Sequence, residues 1–239
     1  MLNSTTTEWA FAAIGAIAVL FALQDVFKTK AVLPVMVTLS GVLCVVPEVF
    51  VSDVWVICNK PENFAHGTSR IMGRDVAWFS VAMWFAYGMS LITIFYRLIS
   101  MNVQTKWLLL GFAFVGPIDL ILEDVVFSGF DSQCHPSVAM SPWWWATKNA
   151  AGLFLSAAIA YRYRKNLKGW AAALMFLITP FSYLIVHGIA GAPANMVNNA
   201  GYPWNTGVLT CMLCIIIVAL TLQFVLNRNP FDMEGKSLI

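Results

Sequence analysis

Three carboxylic acids lie in stretches of this sequence that are otherwise apolar: Glu48, Asp119 and Glu123. Inside a membrane an ionisable side chain costs about 2.5–3.5 kcal/mol, so it normally faces a cavity or a charged partner. Asp119 and Glu123 are one helical turn apart and therefore share a helix face. Because two carboxyls this close in a low dielectric do not both ionise cheaply, one is expected to keep its proton near neutral pH. A retained proton makes a general acid, and we predict that the three acids are catalytic.

Each of these acids also has a structural interpretation. Glu48 could form an ion pair with Lys148 or Arg74. Asp119 and Glu123 could cap backbone groups that the preceding proline leaves unpaired. Both interpretations remain open from the sequence alone.

Further polar or aromatic residues lie inside or beside the apolar stretches and are candidates for binding a substrate. They are Asp53, Trp55, Arg74, Trp144, Lys148, Asn149, His187, Asn198 and Asn199. One tryptophan of the run 143–145 could offer a π surface to a cation, whereas the others fit an aromatic belt at the membrane surface. His187 fits a proton relay and a hydrogen-bonded helix residue equally well. Asp25, near the end of the first apolar stretch, is expected to be solvated.

The elements that must position these residues are transmembrane helices. Of the 239 residues, 59% are hydrophobic and 11% are charged, against roughly 25% charged in soluble domains, which excludes a soluble globular enzyme. About 20 apolar residues in a helix cross a hydrocarbon core of roughly 30 Å. Seven candidate spans follow, at 9–27, 31–51, 75–98, 107–127, 142–163, 169–190 and 206–227. We therefore predict an all-α, seven-helix integral membrane bundle that forms a single domain over residues 1–239.

The basic residues predict how this bundle is oriented. Ten Lys and Arg residues follow the odd-numbered spans, and three lie on the other side. The ten are Lys28, Lys30, Arg97, Lys106, Arg162, Arg164, Lys165, Lys168, Arg228 and Lys236, and the three are Lys60, Arg70 and Arg74. The positive-inside rule then places the carboxyl terminus in the cytoplasm and the amino terminus outside, in a multi-pass protein of the endoplasmic reticulum or the bacterial inner membrane. The polar outer loops predict a site that opens outward.

The cysteines, and the catalytic motifs that the sequence lacks, limit the kinds of reaction that this protein could catalyse. Cys44, Cys211 and Cys214 fall within spans and fit simple packing. Cys58 and Cys134 fall in outer loops, where an oxidising compartment would allow a disulfide, and the sequence leaves open whether it forms. There is no metal-ligand spacing, glycine-rich phosphate loop or nucleophile elbow, so we expect neither a metal nor a cofactor. The net charge of +2 excludes nucleic acid as a main partner.

Blocks between residues 45 and 205 carry a further resemblance. They are Glu48 through Asp53 with Asn59-Lys60-Pro61 and Gly73-Arg74, the Asp119/Glu123 region, Pro142-Trp143-Trp144-Trp145-Ala146-Thr147-Lys148-Asn149-Ala150-Ala151, and Asn198-Asn199-Ala200-Gly201-Tyr202-Pro203. In this order they resemble the AveC-like spirocyclase family of avermectin biosynthesis. That resemblance implies a membrane-embedded, redox-neutral cyclase that closes a spiroketal from a ketone-diol.

In length and seven-pass layout the chain also looks like the small integral-membrane terpene cyclases of meroterpenoid pathways. These carry an acid in span 2 and protonate an isoprenoid epoxide, which again implies Glu48 as the acid. Both resemblances imply proton delivery, attack by an internal nucleophile and proton removal elsewhere. We expect Glu48 to donate the proton, the Asp119/Glu123 pair to accept or relay the second one, and Asn149 to orient a substrate oxygen.

Two other function classes compete with a cyclase. One is a seven-helix transporter, channel or receptor for a small lipophilic ligand. A retinal receptor is disfavoured because Lys148, within span 5, is the lysine inside the membrane, whereas rhodopsins carry theirs in the last span. The other class is a non-catalytic scaffold, for which the polar cluster exceeds what packing needs. The expected partners are a lipophilic small-molecule substrate and membrane lipid.

Overall fold

The structure is a computed structural model that describes residues 4–47, 68–71, 74–122, 141–198 and 203–236. It describes the backbone without the side chain at 4, 5, 7, 68–71, 74–77, 79, 80, 116, 117, 119–122, 141–146, 191–198 and 203–207.

Seven α-helices follow one another through the described residues. Their bounds are α1 Ser4–Thr29, α2 Leu33–Ser40, α3 Trp78–Ser100, α4 Thr105–Leu122, α5 Ser141–Arg162, α6 Met175–Asn198 and α7 Pro203–Leu220. A 3-10 segment, Gly41–Cys44, continues α2 and is followed by helix up to Pro47. Another, Gly169–Leu174, precedes α6, and a π-helical segment, Thr221–Val225, follows α7. Two short strands, β1 Thr68–Ile71 and β2 Arg74–Ala77, pair antiparallel just before α3.

The predicted helical bundle with seven helices is confirmed over the described residues. Four helical segments are long and apolar enough to cross a membrane: Glu8–Thr29, Val81–Ser100, Gly169–Ala190 and Val208–Val225. Two further apolar helices are shorter within the described ranges, at Leu33–Pro47 and Thr105–Val115. These lengths and compositions indicate a membrane protein.

A short hairpin that the sequence does not predict accompanies the predicted all-α bundle. The sequence places residues 68–77 in an outer loop and at the start of the third span, whereas the structure pairs Thr68 with Ala77 and Arg70 with Asp75 in register. Arg74 and Asp75 are costly to bury in hydrocarbon. Strand pairing satisfies their backbone groups outside a helix, and α3 begins where the chain becomes apolar.

The central helix is α5, which packs against α3, α4, α6 and α7. Many of its buried side chains are small, and small residues let helix backbones approach closely in a membrane. The buried alanines are Ala150, Ala151, Ala157, Ala158 and Ala160. The peripheral α1 instead exposes large apolar side chains such as Trp9, Leu20 and Phe27. The outer surface of the bundle is therefore suited to lipid.

Glycines let α2 and α3 touch backbone to backbone. A Cβ added to Gly41 would lie 2.5 Å from the carbonyl oxygen of Gly88, and a Cβ added to Gly88 would lie 2.5 Å from the carbonyl oxygen of Gly41. Gly15 of α1 likewise faces Phe85 of α3 with no room for a side chain. Glycine is therefore required where these helices cross.

The carboxyl-terminal ends of α1, α3, α5 and α7 lie together at one end of the bundle, which we call the basic end. At this end Arg97 Nε lies 3.2 Å from Asp25 Oδ2, and the guanidinium also covers the ring of Phe21 at 4.9 Å. The expectation that Asp25 is solvated therefore omits an ion pair, since the side chain is 18% exposed and also contacts a cation. The ends of α1 and α3 meet here and bring the two charges together.

The carboxyl-terminal segment folds back over the turn between α3 and α4. Arg228 donates from Nη1 to the carbonyl oxygen of Val103 at 2.5 Å and from Nη2 to Asn102 Oδ1 at 2.7 Å. Lys106 forms an ion pair with Glu234. These contacts tie the end of α7 to the start of α4.

Candidate functional site

Three polar side chains from α5 and α6 meet inside the bundle, and together with the adjacent Lys148 we call them the interior cluster: Lys148, Asn149, Tyr183 and His187. Their residues are between 0% and 8% exposed. Asn149 Oδ1 accepts a hydrogen bond from the Tyr183 hydroxyl at 2.8 Å and lies 3.0 Å from His187 Nε2. The rings of Tyr183 and His187 stack with centroids 4.0 Å apart. One amide oxygen thus joins a phenol and an imidazole.

The local sequence explains why these groups converge. Tyr183 and His187 are four residues apart in α6 and therefore share one helix face. Asn149 lies in α5, and three residues further along is Gly152. A Cβ added to Gly152 would be 3.0 Å from the Cα of Tyr183. The missing side chain lets α6 approach α5 closely, and the tyrosine hydroxyl then reaches the amide.

Trp84 of α3 packs against the cluster with its indole ring. Its ring meets Tyr183 edge-to-face at 5.1 Å and Tyr87 at 5.8 Å, and it is fully buried. Within the part of the chain that the structure describes, the indole Nε1 has no hydrogen-bond partner. Burying an N–H group without an acceptor costs free energy, so this indole is available to donate a hydrogen bond to a bound ligand.

Lys148 brings an amine into this apolar interior. It is 1% exposed and precedes Asn149 along α5. The cluster therefore draws on α5 and α6 and combines an amine, an amide, a phenol and an imidazole.

A second polar network lies further along the same helices. The Thr179 hydroxyl lies 2.7 Å from Ser40 Oγ and 2.7 Å from Ser156 Oγ, and Thr38 lies 2.6 Å from Thr93. Hydroxyl contacts of this kind hold membrane helices together. This network joins α2, α3, α5 and α6 between the cluster and the basic end, and we interpret it as structural.

The structure brings together two of the residues that the sequence singles out, Asn149 and His187, and Lys148 precedes Asn149 in α5. It describes only the backbone at four others: Asp119 in α4, Arg74 in β2, Trp144 in the first turn of α5 and Asn198 at the end of α6. The remaining predictions fall outside the described residues: Glu48, Asp53, Trp55, Glu123, Asn199 and the cysteines Cys58 and Cys134.

Sequence reasoning missed two members of this region, Tyr183 and Trp84. The spacing of Tyr183 and His187 was a usable signal, because residues four apart in a helix present their polar groups together. Trp84 carried no such signal, since an indole in an apolar helix is ordinary core. Among the described residues, no group of three or more His, Cys, Asp or Glu side chains could hold a metal ion.

Comparison with protein-family models, with curated proteins and with solved structures gives no match for this chain. The resemblance to spirocyclases and to membrane terpene cyclases therefore stays a prediction.

Proposed function

We propose that this protein is a membrane-embedded, redox-neutral acid–base cyclase that closes a ring in a lipophilic small molecule. The observation that carries the proposal is the buried junction at Asn149 Oδ1, which accepts from Tyr183 and lies at hydrogen-bond distance from His187. The junction gathers a phenol and an imidazole on one amide beside a buried lysine, which is more than a single hydrogen bond between two helices requires. Proton-transfer chemistry needs such groups, held in place and away from water.

The cluster suits a substrate that is mostly hydrocarbon with a few oxygen atoms. Trp84, Tyr87 and Tyr183 supply apolar and aromatic surface, and the indole has a free donor among the described residues. Aromatic faces also stabilise a developing carbocation. Asn149 would orient a substrate oxygen, as the sequence predicts, while Tyr183 and His187 hold the amide in one rotamer.

The proton balance of the proposed reaction is closed without an external oxidant or reductant. A ketone-diol forms a spiroketal when both hydroxyl oxygens bond to the carbonyl carbon and one water leaves. An isoprenoid epoxide opens on protonation, an alkene attacks the cationic carbon, and a neighbouring proton is lost. In both cases we propose Glu48 as the donor and the Asp119/Glu123 pair as the acceptor or relay.

The proposed orientation places this chemistry near the outer face. At about 1.5 Å per residue, Lys148 lies about 10 Å along α5 from Ser141 and about 20 Å from Arg162, which is at the basic end. With the basic end in the cytoplasm, the cluster lies in the outer half of a membrane of the endoplasmic reticulum or the bacterial inner membrane.

The test supplies a ketone-diol and an isoprenoid epoxide to membranes that contain the full-length protein. Mass spectrometry distinguishes the products, since spiroketal closure loses one water and epoxide cyclisation keeps the mass. Glu48→Gln is expected to lower turnover about 10²–10⁴-fold, because it keeps the shape of the side chain and removes the titratable proton.

Glu234→Gln is the matched control. Glu234 is an exposed glutamate paired with Lys106 at the basic end, so turnover should stay within about twofold. Normal turnover in Glu48→Gln would show that the acid lies on another helix. Tight binding of either compound without any conversion would refute the enzyme and favour a transporter or receptor.

A further inference from the structure

A cavity of about 1060 Å³ lies at the basic end, away from the interior cluster. It is open to solvent and is bordered by the end of α1, the turn into α2, the end of α3, and the segment that leaves α5. Six basic residues line it: Lys28, Lys30, Arg97, Arg164, Lys165 and Lys168. Among the described residues of the lining, Asp25 is the one carboxylate, so their formal balance is six positive charges against one negative.

The arginines of this cavity are already engaged. Arg97 pairs with Asp25 at 3.2 Å, and Arg164 covers the ring of Tyr161 at 4.0 Å while it donates to a backbone carbonyl. The four lysines differ from them. No carboxylate within the described ranges forms an ion pair with Lys28, Lys30, Lys165 or Lys168. Four ammonium groups therefore border one space without an ion-pair partner among the described residues.

The backbone at Lys30 supports a role for this arrangement. Lys30 has a positive φ of 56°, which costs free energy in any residue with a side chain. Its amide donates to the carbonyl oxygen of Val26 at 2.7 Å, so the turn is held closed. A strained position among like charges is a reason to look for a ligand.

The rest of the lining combines polar and apolar groups. Hydroxyl-bearing residues Thr29, Tyr96 and Ser100 line the cavity together with the aliphatic Leu33 and Leu167. Such a lining accepts a charged group and the first carbon atoms attached to it.

We propose that this cavity binds a phosphate-bearing anion, with the four lysines as its countercharges. A phosphate group carries more than one negative charge when monoesterified and has oxygens for several donors at once, which a single carboxylate cannot match. The position at the ends of the helices, on the basic face, is also where anionic lipid headgroups attract lysine. The phosphate could therefore belong to a lipid headgroup or to a soluble compound.

The experiment titrates the purified full-length protein in neutral detergent micelles by calorimetry, with two probes. One probe is sodium pyrophosphate, and the other is short-chain dihexanoyl phosphatidic acid. Binding of phosphatidic acid alone assigns the site to a lipid headgroup, binding of pyrophosphate alone assigns it to a soluble phosphate, and binding of both shows that phosphate itself is recognised. Each result supports the proposal, and binding of neither probe overturns it.

Variants locate the binding in the cavity. Lys165→Gln combined with Lys168→Gln should raise the Kd at least tenfold, and Lys28→Gln combined with Lys30→Gln on the opposite wall should do the same. All four lysines are exposed, so folding should be retained. The control, Arg162→Gln combined with Lys236→Gln, removes two exposed charges that do not line the cavity and should change the Kd less than twofold. Equal effects in all three proteins would show a diffuse surface charge and overturn the proposal.

Discussion

Asn149 is the residue on which the interior cluster depends. Its side-chain oxygen joins Tyr183 and His187 at one atom. Removing the amide would therefore leave two buried groups without this acceptor. Losing an acceptor matters more than losing a donor here, because one change affects both partners.

Asn149→Ala should destabilise the protein more than Tyr183→Phe does. A hydrogen bond between membrane helices contributes about 0.6 kcal/mol on average and up to about 1.7 kcal/mol, so we expect roughly that loss for Tyr183→Phe and about twice as much for Asn149→Ala. Reversible unfolding in mixed detergent micelles measures both changes.

Asn166→Ala serves as the control for this pair. Asn166 is exposed in the turn after α5. The unfolding free energy of the Asn166→Ala variant should therefore match that of the wild type. The interpretation fails if Asn149→Ala is no less stable than Tyr183→Phe, because the amide would then not be the shared acceptor.

At the scale of the helices, α5 shows how an interior helix differs from a peripheral one. It carries Lys148 and Asn149 and packs on four sides, whereas α1 shows large apolar side chains to the outside. Hydropathy alone does not place α5 among the four segments that are long and apolar enough to cross a membrane. A helix surrounded by other helices can carry polar groups because it contacts those helices instead of lipid.

The crossing of α2 and α3 depends on close backbone contact. Gly88→Ala should cost about 1–3 kcal/mol, as is typical of overpacking, because the new Cβ would lie 2.5 Å from the carbonyl oxygen of Gly41. Thermal unfolding of the purified protein measures the loss.

Gly111→Ala is the matched control in α4. Its new Cβ would meet Leu98 Cδ1 at 3.6 Å, an ordinary contact, and alanine in a helix is favoured over glycine by about 0.5–1 kcal/mol. We therefore expect this variant to be as stable as the wild type or slightly more stable. If the two alanine variants behave alike, the glycine contact does not determine how the helices cross.

At the scale of the whole molecule, the two ends of the bundle have different chemistry. One end holds the lysines of the cavity and the segment that Arg228 and Glu234 tie down. The interior cluster lies toward the other end. This asymmetry predicts a fixed orientation, since translocating the basic end would carry many charges across the bilayer.

Epitope tags at the two termini test the orientation in intact cells. The amino-terminal tag should bind antibody without permeabilisation, and the carboxyl-terminal tag only after it. An intracellular tag on an unrelated cytoplasmic protein shows that the cells were intact. The reverse pattern would place the basic end outside and would contradict both the proposed orientation and an outward-facing site.

The sequence by itself was sufficient to predict the helices. Four of the helical segments within the described residues are long apolar runs, and the length of such a run follows from the thickness of a membrane, so no knowledge of distant contacts is needed. The same holds for Lys148, Asn149 and His187, because a polar residue in an apolar run is conspicuous wherever its helix lies. Their roles in chemistry, together with those of Glu48 and Glu123, stay predictions.

Only the tertiary structure decided which of these residues meet. The contact of Asn149 with Tyr183 joins positions 34 residues apart and depends on a glycine in α5 that the sequence does not distinguish from other glycines. The pairing of Asp25 with Arg97, and the gathering of four lysines from two separate turns around one cavity, depend likewise on how helices pack. Composition and periodicity are local properties of a chain, whereas a site is made of contacts between residues that are distant along it, and those contacts exist only once the helices have packed.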